Sequence, residues 1–179
     1  PFVLWNRTLA KARAVLEDVS KEARELNWSE LVTSVQPGDV VVSMLPADLH
    51  QRVAELCLQG NAHFVCSSYL SPVMETLDAQ AKAKDLRFVS EVGLDPGIDH
   101  LMAHALMADY QASGLMNHTH EHHFRSYCGG FPSTPNDFRY KFSWSPLGVL
   151  RALKTPARWI ENGAEATTEK PWQALSSHT

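Results

Sequence analysis

Short apolar runs alternate with amphipathic stretches along the first hundred residues of the chain. The apolar runs predict five strands, the second of them weak, at residues 2–5, 24–28, 40–44, 63–67 and 86–92. The stretches between them repeat apolar residues at the spacing of one helix face, which predicts helices at residues 9–17, 29–35, 48–59 and 71–84. Repeated strand–helix units of this kind predict an α/β fold with a parallel sheet.

Three of these helices carry capping signals at their ends. Thr8 and Ser29 are predicted to cap the first two helices, because their side-chain oxygens accept free backbone N–H groups at a helix N-terminus. Gly60 is predicted to end the third helix as a C-terminal glycine cap.

The motif G-L-D-P-G-I-D-H at residues 93–100 places a turn, two carboxylates and a histidine between a strand and a helix. Pro96 and Gly97 predict the turn, and Asp99 is predicted to cap the helix that follows, which runs to Tyr110. A polar cluster where a strand gives way to a helix is the usual crevice for ligands in open α/β sheets. The other interpretation is a capped helix beside a solvated turn.

The pattern changes after residue 100. The alternating run 117–127 predicts a strand, residues 140–144 are expected to be extended, and residues 147–160 predict a helix that Pro156 ends or kinks. These features indicate the start of a second α/β domain with a boundary near Val92. We therefore predict domains at residues 1–92 and 93–179, with no regular element in the polar stretch 161–179.

Both ends of the sequence are abrupt. The chain opens directly on a strand-like run, without the glycine-rich strand–turn–helix that normally begins a dinucleotide-binding sheet. We expect that a first β-α unit is missing, that the doubly wound sheet is partial, and that the chain is a segment of a longer protein.

Composition narrows the classes of function. A net charge of -4 gives no electrostatic case for nucleic acid or for an anionic membrane as a partner. No apolar run approaches the length needed to cross a bilayer. The three cysteines are an odd number without regular spacing, which favours reduced thiols in a cytoplasmic protein over a disulfide framework.

Polar residues follow the first predicted strand, where a nucleotide-binding sheet contacts the adenosine ribose. Sites for NAD commonly place an acidic residue there, whereas an arginine accommodates the 2′-phosphate of NADP. Here the sequence is Asn6, Arg7, Thr8, with no acid and with a planar guanidinium suited to phosphate. The tripeptide predicts NADP, and a solvated arginine beside a helix is the alternative.

Two further loops are expected at the same edge of the sheet. Met44, Leu45 and Pro46 follow the third strand and form a small apolar loop that can lie along a nucleotide. The next strand ends in hydroxyl-bearing side chains, which are Ser67, Ser68 and Tyr69. Each loop alone is equally typical of an ordinary connection, so the prediction of a site rests on the three together.

A zinc site is considered for three histidines that alternate along the chain. A strand would place His118, His120 and His122 on one face, where imidazoles are able to bind zinc. No carboxylate or thiol partner accompanies them, so we expect a solvated or interface face and no metal.

Several blocks of the sequence together resemble the saccharopine reductase family, also called saccharopine dehydrogenase (NADP, L-glutamate-forming). The blocks run in the family's order and are N-R-T at 6–8, V-V-S-M-L-P at 41–46, S-S-Y-L-S-P at 67–72, G-L-D-P-G-I-D-H at 93–100, S-Y-C-G-G at 126–130 and Y-K-F-S-W-S-P at 140–146. The later blocks are specific, whereas N-R-T and M-L-P alone are not. The resemblance covers the chain from about residue 6 to residue 163.

The resemblance implies a Rossmann domain that lacks its first β-α unit, followed by the start of a second α/β (α+β) domain for substrate binding and dimerisation. It also implies an NADP-dependent enzyme, which joins 2-aminoadipate semialdehyde to glutamate as an imine and reduces that imine to saccharopine. A homodimer in lysine metabolism, acting on a small amino-acid substrate, is expected on the same basis.

Roles for single residues also follow from the resemblance. Arg7 and Thr8 are expected at the adenosine 2′-phosphate, and Met44, Leu45 and Pro46 along the cofactor. Tyr69, Asp95 and Cys128 are expected to line the reacting pocket. Cys128 precedes two glycines and has no companion base at informative spacing, so we expect a pocket-lining thiol rather than a nucleophile.

Two other functions remain open at this point. A carboxynorspermidine dehydrogenase or a homospermidine-synthase-like enzyme uses the same cofactor on polyamine-derived amines. A non-catalytic dinucleotide-binding protein is the alternative from a different class, because the glycine-rich loop is not in the sequence.

Overall fold

The computed structural model describes residues 2–16, 22–130, 132–142 and 145–174. The chain divides into two compact units, residues 1–122 and residues 123–179. Within the described residues no helix has the length and the apolar character needed to span a bilayer.

The first unit is built from parallel strand pairs. β1 (Val3–Asn6) pairs with β2 (Glu22–Glu25), and a second sheet has the order β3-β4-β5. The strands of that second sheet are β3 (Val40–Ser43), β4 (His63–Cys66) and β5 (Phe88–Val89). The predicted α/β fold with parallel strands is confirmed.

Helices connect these strands in the order expected for repeated β-α units. They are α1 (Leu9–Val15), α2 (Trp28–Ser34), α3 (His50–Gly60) after a 3-10 turn at Ala47–Leu49, α4 (Pro72–Glu75), α5 (Asp78–Ala83) and α6 (Ile98–Ala112). The predicted helix 71–84 is therefore two short helices, with Ser71 accepting the backbone N–H of Met74 at the start of the first.

The core of this unit lies where α3, α4 and α5 pack on β4. Phe64 of β4 and Cys57 of α3 are fully buried and are its largest enclosed side chains. The ring of Phe64 packs against Phe88 of β5, with centroids 5.6 Å apart. Burying one such aromatic ring contributes about 1.5–3 kcal/mol, so this layer fixes the positions of the strand ends that follow it.

The caps of three helices differ from the prediction. Asn27 caps α2, because its Oδ1 accepts the backbone N–H of Ser29, so the predicted Ser29 cap is wrong. Thr8 precedes α1 but makes no side-chain cap. Gly60 lies within α3, and Asn61 takes the left-handed conformation at φ 52°, a geometry that asparagine tolerates well.

The last strand of the sheet is shorter than the sequence pattern indicates. Strand β5 spans only Phe88–Val89, and the chain turns at Glu91, which has a φ of 64°. The backbone N–H of Glu91 donates to the carbonyl of Ser68, at 3.0 Å, and does not extend the hydrogen bonding between β4 and β5. The predicted strand 86–92 therefore ends early, because this part of the chain is held by the loop after β4.

The second unit contains a helix and an antiparallel hairpin. Helix α7 spans Pro146–Ala152, and the hairpin pairs β6 (Ala157–Glu161) with β7 (Ala164–Thr168). Asn162 and Gly163 form its turn, with φ values of 52° and 79°. The prediction of a helix over residues 147–160 is wrong beyond the end of α7. Residues 161–179 were predicted to carry no regular element, but they contain β7 and a 3-10 turn at Pro171–Ala174.

Residues 117–127 do not form the predicted strand. They run as turns and irregular backbone, with Asn117 accepting the backbone N–H of Thr119 through its side chain. Asparagine side chains compete with strand hydrogen bonding in this way. The predicted extended stretch 140–144 is irregular as far as residue 142, and residues 143 and 144 lie outside the described part of the chain.

Candidate functional site

The candidate site is formed by the loops that follow β3, β4 and β5 at the carboxyl ends of these parallel strands. Parallel strands place those ends on one edge of the sheet, which is where ligands bind in open α/β folds. The loop after β1 lies in the same unit, but β1 pairs with β2 in a separate parallel sheet.

The loop after β5 closes on itself through backbone hydrogen bonds. The N–H of Gly93 donates to the carbonyl of Pro96, at 3.0 Å, and the N–H of Ile98 donates to the carbonyl of Gly93, at 2.9 Å. Gly97 has a φ of 145°, and a Cβ there would lie 2.3 Å from the carbonyl oxygen of Gly93. Only glycine fits this position, because the obstructing atom belongs to the backbone.

The same loop packs against the end of β4. A Cβ on Gly93 would lie 3.2 Å from the Cβ of Ser67, so the absence of a side chain permits the close approach. Glu91 adds a second connection, since its Oε1 accepts the backbone N–H of Leu70 at 3.0 Å. The loops after β4 and β5 are thereby held as one structure.

Tyr69 and Asp95 meet at the rim of that structure. The phenolic hydroxyl of Tyr69 donates a hydrogen bond to Oδ1 of Asp95, at 2.9 Å. Both residues are exposed, and Tyr69 is 63% exposed. Two of the residues expected in the reacting pocket are therefore in direct contact, and the carboxylate of Asp95 is exposed.

Asp99 does not cap the following helix in the predicted way. Gly97 holds the N-cap position of α6, and Asp99 lies in the first helical turn. Its Oδ1 accepts from the N–H of Gly97, at 2.8 Å, and from Nδ1 of His100, at 2.9 Å. Desolvation raises the pKa of Asp99, but hydrogen bonds from the Gly97 and His100 backbones and from the His100 side chain lower it overall.

A buried histidine that the sequence patterns did not single out lies behind this rim. The Nδ1 atom of His50 is 2.9 Å from the hydroxyl of Ser43, and its Nε2 atom is 2.8 Å from the hydroxyl of Ser68. Only 4% of its surface is exposed. Burial lowers the pKa of His50, and the carboxylate of Asp48 opposes that shift. The available signal was a strand-end serine followed, seven residues later, by a histidine that begins a helix.

The loop after β3 carries the predicted apolar residues. Met44 is 77% exposed, and Leu45 packs against the hydrophobic core of the unit. Pro46 is exposed and occupies the N-cap position of the following 3-10 turn. An exposed apolar side chain beside a fixed turn suits contact with the flat surface of a nucleotide.

The loop after β1 carries an exposed arginine. Asn6 accepts the backbone N–H of Thr8 through its Oδ1, at 2.8 Å, and so fixes the turn from which Arg7 projects. Arg7 makes no ion pair within the described residues. A guanidinium is a group that can hold the 2′-phosphate of NADP through charge-assisted hydrogen bonds.

Cys128 lies in the second unit and is exposed. The predicted pocket role of this thiol remains a prediction. The two other cysteines, Cys57 and Cys66, are buried in the first unit, and burial raises the pKa of the Cys57 thiol to about 12.

The alternating histidines belong to a turn and its neighbouring loop. His122 contacts the hydroxyl of Tyr110 through Nδ1 at 2.6 Å, and the carbonyl of Asn117 through Nε2 at 2.7 Å. His120 contacts Oδ1 of Asn117 at 2.7 Å. Across the described ranges, no three histidine, cysteine or acidic side chains are grouped as metal ligands.

Comparison with known proteins identifies the family of the chain. Residues 2–89 match the saccharopine dehydrogenase NADP binding domain, and residues 93–178 match the saccharopine dehydrogenase C-terminal domain. The chain belongs to the saccharopine dehydrogenase family. NADP is thus the cofactor of its N-terminal domain, as the residues around Arg7 predict.

Saccharopine dehydrogenase relatives match most of the chain but extend well beyond it. The chain is 39% identical to an alpha-aminoadipic semialdehyde synthase of Arabidopsis thaliana over 87% of its length. It is 39% identical, over 79% of its length, to the saccharopine dehydrogenase [NADP(+), L-glutamate-forming] of Pyricularia oryzae, and 35% identical, over 88%, to that of Saccharomyces cerevisiae. The chain spans 15%, 31% and 36% of these three relatives, respectively.

A solved saccharopine dehydrogenase also has this fold. The apo histidine-tagged saccharopine dehydrogenase (L-Glu forming) from Saccharomyces cerevisiae aligns over 99% of the chain with a TM-score of 0.70 and 28% identity. The chain spans 41% of that structure. The Rossmann-like α/β class predicted from the sequence is confirmed.

Proposed function

We propose that the protein carrying this chain is an NADP-dependent oxidoreductase of the saccharopine dehydrogenase type in lysine metabolism. It reversibly reduces the imine of 2-aminoadipate semialdehyde and glutamate to saccharopine. The observation that carries the proposal is the contact between Tyr69 and Asp95, which places an exposed carboxylate at the strand ends of an NADP-binding domain. The names of the relatives from Pyricularia oryzae and Saccharomyces cerevisiae support it.

The first part of the proposed site holds the cofactor. Arg7 and Thr8 bind the 2′-phosphate, and Asn6 fixes their turn through its hydrogen bond to the Thr8 N–H. A charge-assisted hydrogen bond from a guanidinium to phosphate is about twice as strong as a neutral one. The remaining cofactor contacts are proposed for the two neighbouring loops, at Met44, Leu45, Pro46, Ser67 and Ser68.

The second part of the proposed site acts on the substrate. When bound, NADPH supplies the hydride that saturates the imine carbon. The carboxylate of Asp95 favours the protonated iminium, whose carbon is more electrophilic than that of the neutral imine. Tyr69 holds this carboxylate in place through its hydroxyl. A substrate contact by Cys128 is proposed on the family resemblance alone. Positioning and charge therefore supply the protein's part of the catalysis.

The organisation of the whole protein is proposed on the same grounds. We place a boundary between domains after Val92, which the family matches at 2–89 and 93–178 support. The structural division after His122 is later, because α6 continues directly from the loop at 93–97, whose carbonyls accept its first N–H groups. We also propose a homodimer, on the basis of the family resemblance. A cytoplasmic location is proposed because the cysteines favour reduced thiols.

The experiment compares two substrates with the full protein as it is encoded. Saccharopine and carboxynorspermidine are each supplied with NADP, and the initial rate of NADPH formation is measured. We expect kcat/KM for saccharopine to exceed that for carboxynorspermidine by more than about tenfold, a difference of about 1.4 kcal/mol in transition-state binding. Detection of glutamate as the second product provides an independent check.

Two results would contradict the proposal. A preference for carboxynorspermidine would place the protein among the polyamine enzymes. Tight binding of NADPH without turnover of either compound would indicate a non-catalytic dinucleotide-binding protein.

A further inference from the structure

His50 occupies the space between the ends of two neighbouring strands. It is the first residue of α3, and its ring reaches Ser43 at the end of β3 and Ser68 in the loop after β4. The ring also packs against that of Phe64 in a T-shaped arrangement, with centroids 6.3 Å apart. Packing and hydrogen bonding together leave this imidazole one orientation.

Both ring nitrogens of His50 have a partner. A neutral imidazole has one donor and one acceptor, and a serine hydroxyl is able to serve as either, so the two hydrogen bonds are satisfied in both tautomers. Ser43 is 3% exposed and depends on this contact within a buried environment. The network is complete, and a buried network of this kind specifies one arrangement of the segments that it joins.

The segment joined through Ser68 carries the proposed chemistry. The carbonyl of Ser68 accepts the N–H of Glu91, at 3.0 Å, and the next residue, Tyr69, donates to Asp95, at 2.9 Å. A displacement of Ser68 therefore moves the backbone that positions the Tyr69 hydroxyl. Hydrogen bonds thus connect the end of β3 to Ser68 through the buried imidazole, and the backbone from Ser68 to Tyr69 continues the connection to the carboxylate at the rim.

We propose that His50 is a positioning residue, which sets the loop bearing Ser67, Ser68 and Tyr69 against the end of β3 by holding one serine on each side. The contribution of His50 to catalysis rests on the proposed function. The effect of His50 on the position of the loop is independent of that function. The imidazole acts through Ser68 and does not touch the substrate.

The test uses two amide substitutions in the full protein. In His50→Asn the amide reaches the position of Nδ1 and retains the Ser43 contact, whereas in His50→Gln it reaches the position of Nε2 and retains the Ser68 contact. Each variant loses one of the two hydrogen bonds of the ring, so a purely structural role affects both to a similar extent. Ser68→Ala removes the same contact as His50→Asn, and Ser34→Ala, a half-buried serine on α2, is the matched control.

The primary measurement is amide hydrogen exchange of the peptides containing Leu70 and Glu91, whose N–H groups are hydrogen-bonded within the loop. We expect exchange about tenfold faster in His50→Asn and in Ser68→Ala, corresponding to about 1.4 kcal/mol, and near-native exchange in His50→Gln and Ser34→Ala. The double variant His50→Asn, Ser68→Ala is expected to match its single parents. Equal exchange in the two His50 variants would overturn the proposal.

Kinetics of saccharopine oxidation provide the second readout. We expect kcat/KM to fall about tenfold in His50→Asn and to be largely retained in His50→Gln, at similar melting temperatures. Activity that follows the melting temperature instead would overturn the positioning role. Complete inactivity of the native protein would contradict the proposed function alone, because the exchange measurement still decides the role of His50.

Discussion

The hydroxyl of Tyr69 donates a 2.9 Å hydrogen bond to Oδ1 of Asp95, across 26 residues of sequence. This contact joins the loop after β4 to the loop after β5 at the carboxyl edge of the sheet. The Asp95 carboxylate is exposed at this edge. We infer that the tyrosine serves mainly to hold the carboxylate.

A double-mutant cycle tests this division of roles. Tyr69→Phe removes only the hydroxyl, and we expect kcat/KM for saccharopine to fall about tenfold, near the lower end for a hydrogen bond to a charged group, because the pair is exposed. Asp95→Asn is expected to lower kcat/KM for saccharopine by a larger factor than Tyr69→Phe does. The double variant should be no worse than Asp95→Asn alone, whereas losses that multiply would show that the two side chains act independently.

Gly97 provides a test of the loop geometry. In Gly97→Ala the new Cβ would lie 2.3 Å from the carbonyl oxygen of Gly93, so we expect a loss of more than about 2 kcal/mol in the free energy of unfolding. Gly114→Ala is the matched control, because Gly114 also has a positive φ, of 72°, but has nothing within 4 Å of the added atom. Its cost should be about 1 kcal/mol. Denaturant titrations of the full protein measure both, and equal losses would contradict the described loop.

The strand-end loops could be predicted because they depend on local patterns. An apolar run followed by polar residues marks the end of a strand, and parallel strands bring such ends to one edge. This pattern predicts the positions of Tyr69 and Asp95 in loops at strand ends, whereas their place in a pocket is implied only by the resemblance. Their mutual contact was not predicted, because a hydrogen bond across 26 residues has no local signature.

Other parts of the structure could not be read from periodicity. His50 lies on a helix whose apolar spacing explains the segment fully, and its partners come from two different strands. The hairpin around Asn162 and Gly163 did carry a signal, since Asn-Gly is the preferred two-residue turn. The prediction of a helix over residues 147–160 made no use of that signal.

The pH dependence of stability tests the environment of His50. Its ring faces Ser43, Ser68 and Phe64, and the carboxylate of Asp48 is a charge that raises its pKa. Burial lowers the pKa of His50 in the folded protein, while the unfolded chain takes up a proton near pH 6.5. The contribution to stability is therefore complete above about pH 7, and it is lost progressively as the pH falls from 6.5 through the lower pKa of the folded protein.

Melting temperatures at pH 7.5 and at pH 5.5 measure this contribution. We expect His50→Gln to lower stability at both values but to reduce the difference between them, because glutamine does not titrate. His104→Gln, at an exposed position on α6, should leave the difference unchanged. If His50→Gln shows the same difference in melting temperature between pH 7.5 and pH 5.5 as the native protein, the environment assigned to His50 is wrong.

The cofactor preference of the full protein, with saccharopine as substrate, tests the central claim most directly. We predict that kcat/KM is higher with NADP than with NAD by about tenfold or more, because Arg7 supplies a charge-assisted contact to the 2′-phosphate. Arg7→Asp should abolish this preference, whereas Arg13→Asp, at the far end of α1, should preserve it. Equal use of NADP and NAD by the native protein, or an Arg7→Asp variant that still prefers NADP, would contradict the assigned cofactor site.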